Sequence, residues 1–376
     1  MFDLDALRNE MPVVRQYSFL NHAGVAPVSG RAGAAMRRFL DEAENHAHAR
    51  GGLYPEAGRV RKLAARLIHC HPEELTFVKN TCEGICHVAN GLQFSRGDNI
   101  VTTAAEFPGN IYPWMNLQSG GVKLKMVPED GGRVPVERII ESIDDRTRLV
   151  AVSAVQYASG FRMDLAALGT ACQERGVLFA VDAIQAVGCV PIDVKAMKID
   201  FLSADGHKWL LGPEGAGLFY CRQELLGLVH PSSVGWLSVK NPEDFDHYNL
   251  DFRDDARRFD GGSYNLAGIW ALGASIEWIL ELGVDHIWNH VRMLTDRLSE
   301  GIRAKGYRVV SSRTPSEASG IVAFVSDTHD HARLVAHLRQ EHRTIIATRR
   351  GRLRASPHFY NTEREIDQLI DHLPSH

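Results

Sequence analysis

Short β-branched and apolar runs recur through the first two-thirds of the chain, separated by longer helix-like stretches. Strands of this kind need helices to cover them, so the alternation predicts a layered α/β sheet flanked on both faces. Runs assigned to strands span 75–78, 99–103, 122–127, 149–154, 178–181, 201–204 and 217–220. Between them, 82–90 and 165–175 read as helices, the second followed by Gly176 as its C-terminal cap. Beyond about Leu266 the texture changes to long amphipathic stretches, 268–282 and 285–305, and then to strands at 308–310 and 320–324. The division expected is a large domain over 16–262 and a smaller α+β domain over 263–376, with 1–15 packing on the latter. The polar, Asp-rich stretch 241–255 reads as a long surface excursion.

The chain has 376 residues, 44% of them hydrophobic and 23% charged, enough for a large core. A net charge of -4 gives no general reason to expect nucleic acid or an anionic membrane as a partner. The start, MFDLDALRNEMPVV, has early acidic residues and no apolar run long enough for a signal peptide or a span, so a cytoplasmic location is expected. Six cysteines without Cys-x-x-Cys spacing read as reduced thiols. His46, His48, His69, His71 and Cys70 match no recognised metal-finger spacing, and no metal site is assigned.

Three segments carry chemistry. In Asp200-Phe-Leu-Ser-Ala-Asp-Gly-His-Lys-Trp209, a strand runs into a loop that bears His207 and Lys208, and glycine-rich turns follow. An amine there becomes nucleophilic toward an aldehyde if a desolvated pocket and a cation such as His207 lower its pKa; otherwise it is a solvated loop lysine. In Val177-Leu-Phe-Ala-Val-Asp-Ala-Ile-Gln-Ala186, Asp182 emerges at the end of an apolar strand, where α/β sheets place ligands. It could hold a pyridine nitrogen protonated, with Gln185 near the ring oxygen, or simply cap a helix. In Phe77-Val-Lys-Asn-Thr-Cys-Glu-Gly-Ile85, a strand enters a helix whose N-terminus offers free N–H groups to a phosphate. Glu83 suits a capping role there.

Together these segments resemble the class V aminotransferase family of fold type I pyridoxal 5′-phosphate (PLP) enzymes, which includes cysteine desulfurases, selenocysteine lyases and isopenicillin N epimerase-like proteins. Further matching stretches are Phe19-Leu-Asn-His-Ala-Gly24, Glu106-Phe-Pro-Gly-Asn110, Arg258-Phe-Asp-Gly-Gly-Ser-Tyr-Asn265 and Arg354-Ala-Ser356. The resemblance implies a mainly parallel sheet of seven strands in an α/β large domain, with PLP held by Lys208 as a Schiff base. It implies that Lys208 moves the substrate Cα proton, that Asp182 pairs with the pyridinium and Gln185 with the ring hydroxyl, and that Thr81, Cys82 and His207 serve the phosphate end. Ser263 falls where the family supplies a phosphate contact from a neighbouring subunit, which implies a homodimer. His22 and Ala23 fall in the substrate site, and Arg354 matches the receiver of the substrate α-carboxylate.

Several positions depart from the family pattern. Phe107 stands where a histidine commonly stacks on the ring, and Tyr157 where desulfurases have Asn near the cofactor oxygen. Asp205 replaces a phosphate-binding Ser and is expected to orient His207 or face away. No cysteine follows Cys221, so the stretch 341–351 cannot supply the thiolate of a persulfide-forming desulfurase. That stretch and its flank offer Arg343, Arg349, Arg350 and Arg352 instead, either a pocket for a second substrate anion or a solvated basic loop. The activity expected is that of an aminotransferase on an α-amino acid. The alternatives are a carbon–sulfur β-lyase, an epimerase and a catalytically silent PLP-binding protein. A nicotinamide enzyme is set aside because no strand is followed by Gly-x-Gly-x-x-Gly.

Overall fold

A computed structural model describes residues 3–375. The chain opens with α1 (Leu4–Asn9), β1 (Ser18–Phe19), α2 (Gly30–Asn45) and α3 (Tyr54–Leu67). The layered region follows as β2 (Leu75–Val78), α4 (Thr81–Gly91), β3 (Asn99–Thr103), α5 (Tyr112–Asn116), β4 (Lys123–Val127), α6 (Val136–Glu141), β5 (Thr147–Ser153), α7 (Leu165–Glu174), β6 (Leu178–Asp182), β7 (Phe201–Asp205) and β8 (Gly217–Cys221). After a stretch without strands come α8 (Leu266–Leu282), α9 (Val284–Ala304), β9 (Arg308–Val309), β10 (Val322–Val325), α10 (His331–His342), β11 (Thr344–Ile345), β12 (Ala347–Arg349), β13 (Arg352–Ala355) and α11 (Glu363–His372).

The main sheet has seven strands in the order β2-β8-β7-β6-β5-β3-β4. All neighbours pair in parallel except β8, which runs antiparallel to both β2 and β7. Strands covered on both faces read as unbroken apolar runs, and side-chain alternation sorts each run between two cores. Val150 and Val152 of β5, with Phe179 and Val181 of β6, enter the larger core; Leu149, Ala151 and Ala180 enter the core on the opposite face. The helical ends carry their own signals. Asp164 accepts from the Ala167 N–H at 3.0 Å to start α7, and Gly176 adopts φ 63° just beyond its end.

The small sheet has the order β12-β13-β10-β9, all antiparallel, and packs against α9 and α11 around a third core that includes Leu294, Leu298, Phe324, Leu353 and Ile366. Two pieces depart from the division at 263. The α8 helix buries Ile269, Leu272 and Ile276 in the main core and packs on α2 and α3, because it is apolar on nearly every side. Near the N-terminus Leu7 and Met11 join that same core, while Arg8 bonds Glu365 of α11 at 2.8 Å. Then β1 pairs in parallel with β11, which ties the chain's start to the hairpin region near its end. Residues 241–255 form neither helix nor strand and are mostly exposed. No single helix among the described residues is long and apolar enough to cross a membrane.

Candidate active site

Register brings the carboxyl ends of the central strands together. Ser153 of β5 lies opposite Asp182 of β6, and Asp182 lies opposite Ser203 of β7. A cavity of about 520 Å³ opens there, at the edge where open α/β sheets bind ligands. Thr81, Cys82, Phe107, Tyr157, Asp182, Gln185, His207, Lys208 and Arg354 all line it, with Ala23. Ten residues named from sequence thus meet although they span positions 23 to 354.

Lys208 follows β7 and holds its Nζ 5.7 Å from the centroid of the Phe107 ring. Loss of hydration pushes its pKa down to about 8; the Asp182 carboxylate opposes this, and the Arg354 and Arg349 guanidiniums add to it. The cations that act on Lys208 most are therefore these arginines rather than the expected His207. Asp182 accepts from the Ile184 N–H at 3.0 Å, yet burial raises it to about 7, with the Glu106 charge adding to that rise. A buried acid held this high lacks a cation close enough to ionise it fully, and a pyridine N–H⁺ is a group that would do so.

At the helix end, Asn80 caps α4 by accepting from the Glu83 N–H at 2.9 Å, and Glu83 accepts from the Lys79 N–H at 2.6 Å, the capping role expected of it. The α4 terminus comes close to β7 because residue 84 is glycine; a Cβ there would run into the Ser203 side chain. Thr81 Oγ1 accepts from the Asp205 N–H at 3.0 Å, which leaves its own hydroxyl hydrogen free to donate. Asp205 accepts from the Gly206 N–H at 2.7 Å and lies 2.9 Å from His207 Nδ1, at ion-pair distance but off hydrogen-bond alignment. The carboxylate is thus turned toward His207. This donor set fits PLP: an amine for the aldehyde, an acid for the ring nitrogen, a helix end with Thr81 for the phosphate and the Phe107 face for the ring.

Arg354 projects from β13 and is 1% exposed. Its Nη1 donates to the Tyr157 carbonyl at 2.8 Å and its Nη2 to Asn21 Oδ1 at 3.2 Å, while the buried Nε has no acceptor among the described residues. Burial lowers it to about 9, and the Arg349 charge lowers it further. A guanidinium so placed, with a donor to spare, suits a carboxylate ligand.

Three expected residues sit differently. His22 turns its imidazole into the core, with Nδ1 2.8 Å from the Ser356 carbonyl and Nε2 2.7 Å from the Tyr360 hydroxyl, and burial holds it well below its ordinary pKa. The tight turn at 21–24 explains this: Asn21 and Ala23 on either side of it face the cavity, while the His22 ring is held from the core side by Ser356 and Tyr360. Gln185 lines the cavity, but its amide donates to the Ala23 carbonyl at 3.0 Å and accepts from Trp209 Nε1 at 2.9 Å, leaving one N–H for a ligand. Ser263 lies outside this cavity, in a second one beside Gly261, Gly262 and Tyr264. Of the arginine cluster only Arg349 reaches the cavity wall. Arg352 pairs with Glu129, Arg350 donates to the Ala104 carbonyl at 3.0 Å, and Arg343 ends α10 at φ 51°.

Glu106 opens a stretch that matches the family, but its role is not legible in the sequence. It is 5% exposed and accepts from Thr103 Oγ1 at 3.0 Å, Asn110 Nδ2 at 3.0 Å, the Ser153 N–H at 3.0 Å and Gln156 Nε2 at 2.7 Å, and also from the Ser153 hydroxyl. It thereby ties the loop of Phe107 to the end of β5 and to the turn before Tyr157. Its donors come from separate segments, so no local pattern announces the cage.

The family model for class-V aminotransferases matches residues 19–369. A probable cysteine desulfurase of Methanothermobacter thermautotrophicus is 32% identical, over 96% of this chain and 95% of that one. An uncharacterized aminotransferase of Bacillus subtilis, YcbU, is 29% identical, over 84% of this chain and 82% of that one. Among solved structures, apo cysteine desulfurase from Thermococcus onnurineus superposes with a TM-score of 0.90 at 26% identity, covering 99% of this chain and 97% of that one. Fold, cavity and these similarities agree: the chain belongs to the class-V aminotransferase family.

Proposed function

We propose that this chain is a PLP-dependent lyase that cleaves the Cβ–S bond of a cysteine-type amino acid. The observation that carries the reading is the convergence of the Lys208 amine, the Asp182 carboxylate and the Arg354 guanidinium on one cavity. PLP, when bound, supplies an electron sink for the carbanion left at Cα. Arg354 takes the α-carboxylate and so sets which bond to Cα faces Lys208. Lys208, with an amine poised near neutral pH, accepts the Cα proton and can return it. Asp182 would keep the ring nitrogen positive, and Phe107 with Tyr157, whose rings meet edge to face at 5.3 Å, would flank the ring face.

Similarity to cysteine desulfurases supports carbon–sulfur cleavage over the aminotransferase expected from sequence. The tight β12–β13 hairpin holds no cysteine, so sulfur leaves as a free thiol or sulfide rather than as a protein persulfide. Transamination remains the second reading because it begins with the same proton transfer and because YcbU is named an aminotransferase. The holoenzyme incubated with cysteine derivatives is expected to release pyruvate and thiol without any keto acid. Keto-acid-dependent turnover with no thiol release would establish transamination instead. A homodimer in which Ser263 reaches the partner's phosphate site belongs to the same proposal. Sedimentation equilibrium, with PLP affinity of Ser263→Ala, checks it.

A further inference from the structure

The β12–β13 hairpin bears a charge arrangement that cofactor binding does not use. Ala347 pairs with Arg354 and Arg349 with Arg352, so Arg349, Arg352 and Arg354 stand on one face of the ribbon. Like charges directly opposite each other destabilise a ribbon. The register that opposes them is fixed by a two-residue turn, Arg350 and Gly351 at φ 49° and 73°, the left-handed pair of a type I′ hairpin. Arg352 is neutralised by Glu129. Among the described residues neither Arg349 nor Arg354 has a carboxylate partner, and the Arg349 side chain bonds only from Nη1 to the Thr348 carbonyl, at 2.8 Å. One guanidinium, Arg354, is accounted for by the α-carboxylate. Arg349 lines the same cavity and is left over.

We infer that Arg349 receives a second anionic group of the substrate, which is therefore an S-substituted cysteine whose sulfur substituent ends in a carboxylate or sulfonate. This rests on the carbon–sulfur lyase reading above. Diagonal neighbours on a ribbon have backbones roughly 7–8 Å apart, a spacing that lets the two forks take the two ends of one extended substrate. A cavity of about 520 Å³ leaves room for such a substituent. The absence of a hairpin thiol fits as well, since the sulfur then departs still attached to its substituent. In the balanced reaction the Cα–H and Cβ–S bonds break and the Cα proton passes to Lys208. The thiolate leaves with the Cβ–S electron pair and gains a proton, and one water releases pyruvate and ammonium.

The test compares S-carboxymethylcysteine with S-ethylcysteine as substrates of the PLP-loaded enzyme. Wild type is expected to favour the anionic substrate in kcat/KM by roughly tenfold or more, as for a charge-assisted pair. In Arg349→Gln that ratio should collapse toward one, and Arg349→Glu should prefer S-aminoethylcysteine to S-carboxymethylcysteine. A wild-type ratio near one, or a ratio unmoved by Arg349→Gln, overturns the assignment. A second readout needs no turnover: succinate and butyrate are titrated against the visible band of bound PLP. Tighter succinate binding that Arg349→Gln abolishes supports the second anion site even if neither cysteine is cleaved, an outcome that removes only the lyase reading. Equal binding of the two acids overturns the site.

Discussion

The two halves of the cavity are built on different principles. The cofactor half sits on the ends of buried parallel strands and on the N-terminus of α4, where backbone ladders and two apolar cores fix every Cα position. The substrate half sits on a two-turn-residue hairpin near the C-terminus, braced by Asn21 from the other end of the chain. Rigid strand ends suit chemistry that every substrate shares, and a small ribbon at the rim suits recognition, because side chains there can change without disturbing a core. Arg349, exposed at the rim, and Arg354, 1% exposed beneath it, mark the two depths of that ribbon.

Substitutions should separate the halves by what they abolish. Lys208→Ala is expected to remove the absorption band of bound PLP and to lower turnover by roughly a thousandfold or more; a variant that keeps both would break the comparison at its centre. Asp182→Asn preserves shape but removes the charge facing the ring nitrogen, and kcat should fall about a hundredfold, as when a preorganised electrostatic group is lost. On the substrate side, Arg354→Lys should leave the PLP band in place while KM rises roughly 10–100-fold, because an ammonium cannot reproduce the planar fork. Loss of the band in that variant would show that the halves are not separable. The smallest effect concerns pH. Burial holds the free Lys208 amine near 8, so it is protonated below that value and neutral above it. The rate of PLP capture by the apo-protein should therefore rise with pH and level off above about 8, not climb on toward the ordinary lysine range. A stopped-flow pH series measures this.

The same contrast explains what could be read in advance. Strands β2, β3 and β5 to β8 were legible to within a residue or two, because strands covered on both faces are rich in apolar and β-branched residues along their length. Asp182 and Lys208 were legible as polar residues at the ends of such runs, and Arg354 through its match to the family. His22 was misplaced because a motif names a segment, whereas the turn at 21–24 and the distant partners Ser356 and Tyr360 decide that Asn21 and Ala23 face the cavity and His22 the core. The role of Glu106 was invisible because the donors around it are spread from Thr103 to Gln156. The arginine cluster was legible as either a second anion pocket or a solvated basic loop, with nothing to say which arginine; pairing with Glu129, 223 residues away, is what removes Arg352 and leaves Arg349.

Sequence by itself determined the α/β layering, the strand-end acid and amine and the lack of a hairpin thiol, since each is a property of local pattern or of residue identity. Tertiary structure alone decided which arginines line the cavity, where His22 turns and why the Lys208 amine is lowered to about 8. Those outcomes depend on cross-strand register and on exclusion of water, which arise only when segments from both ends of the chain are packed together.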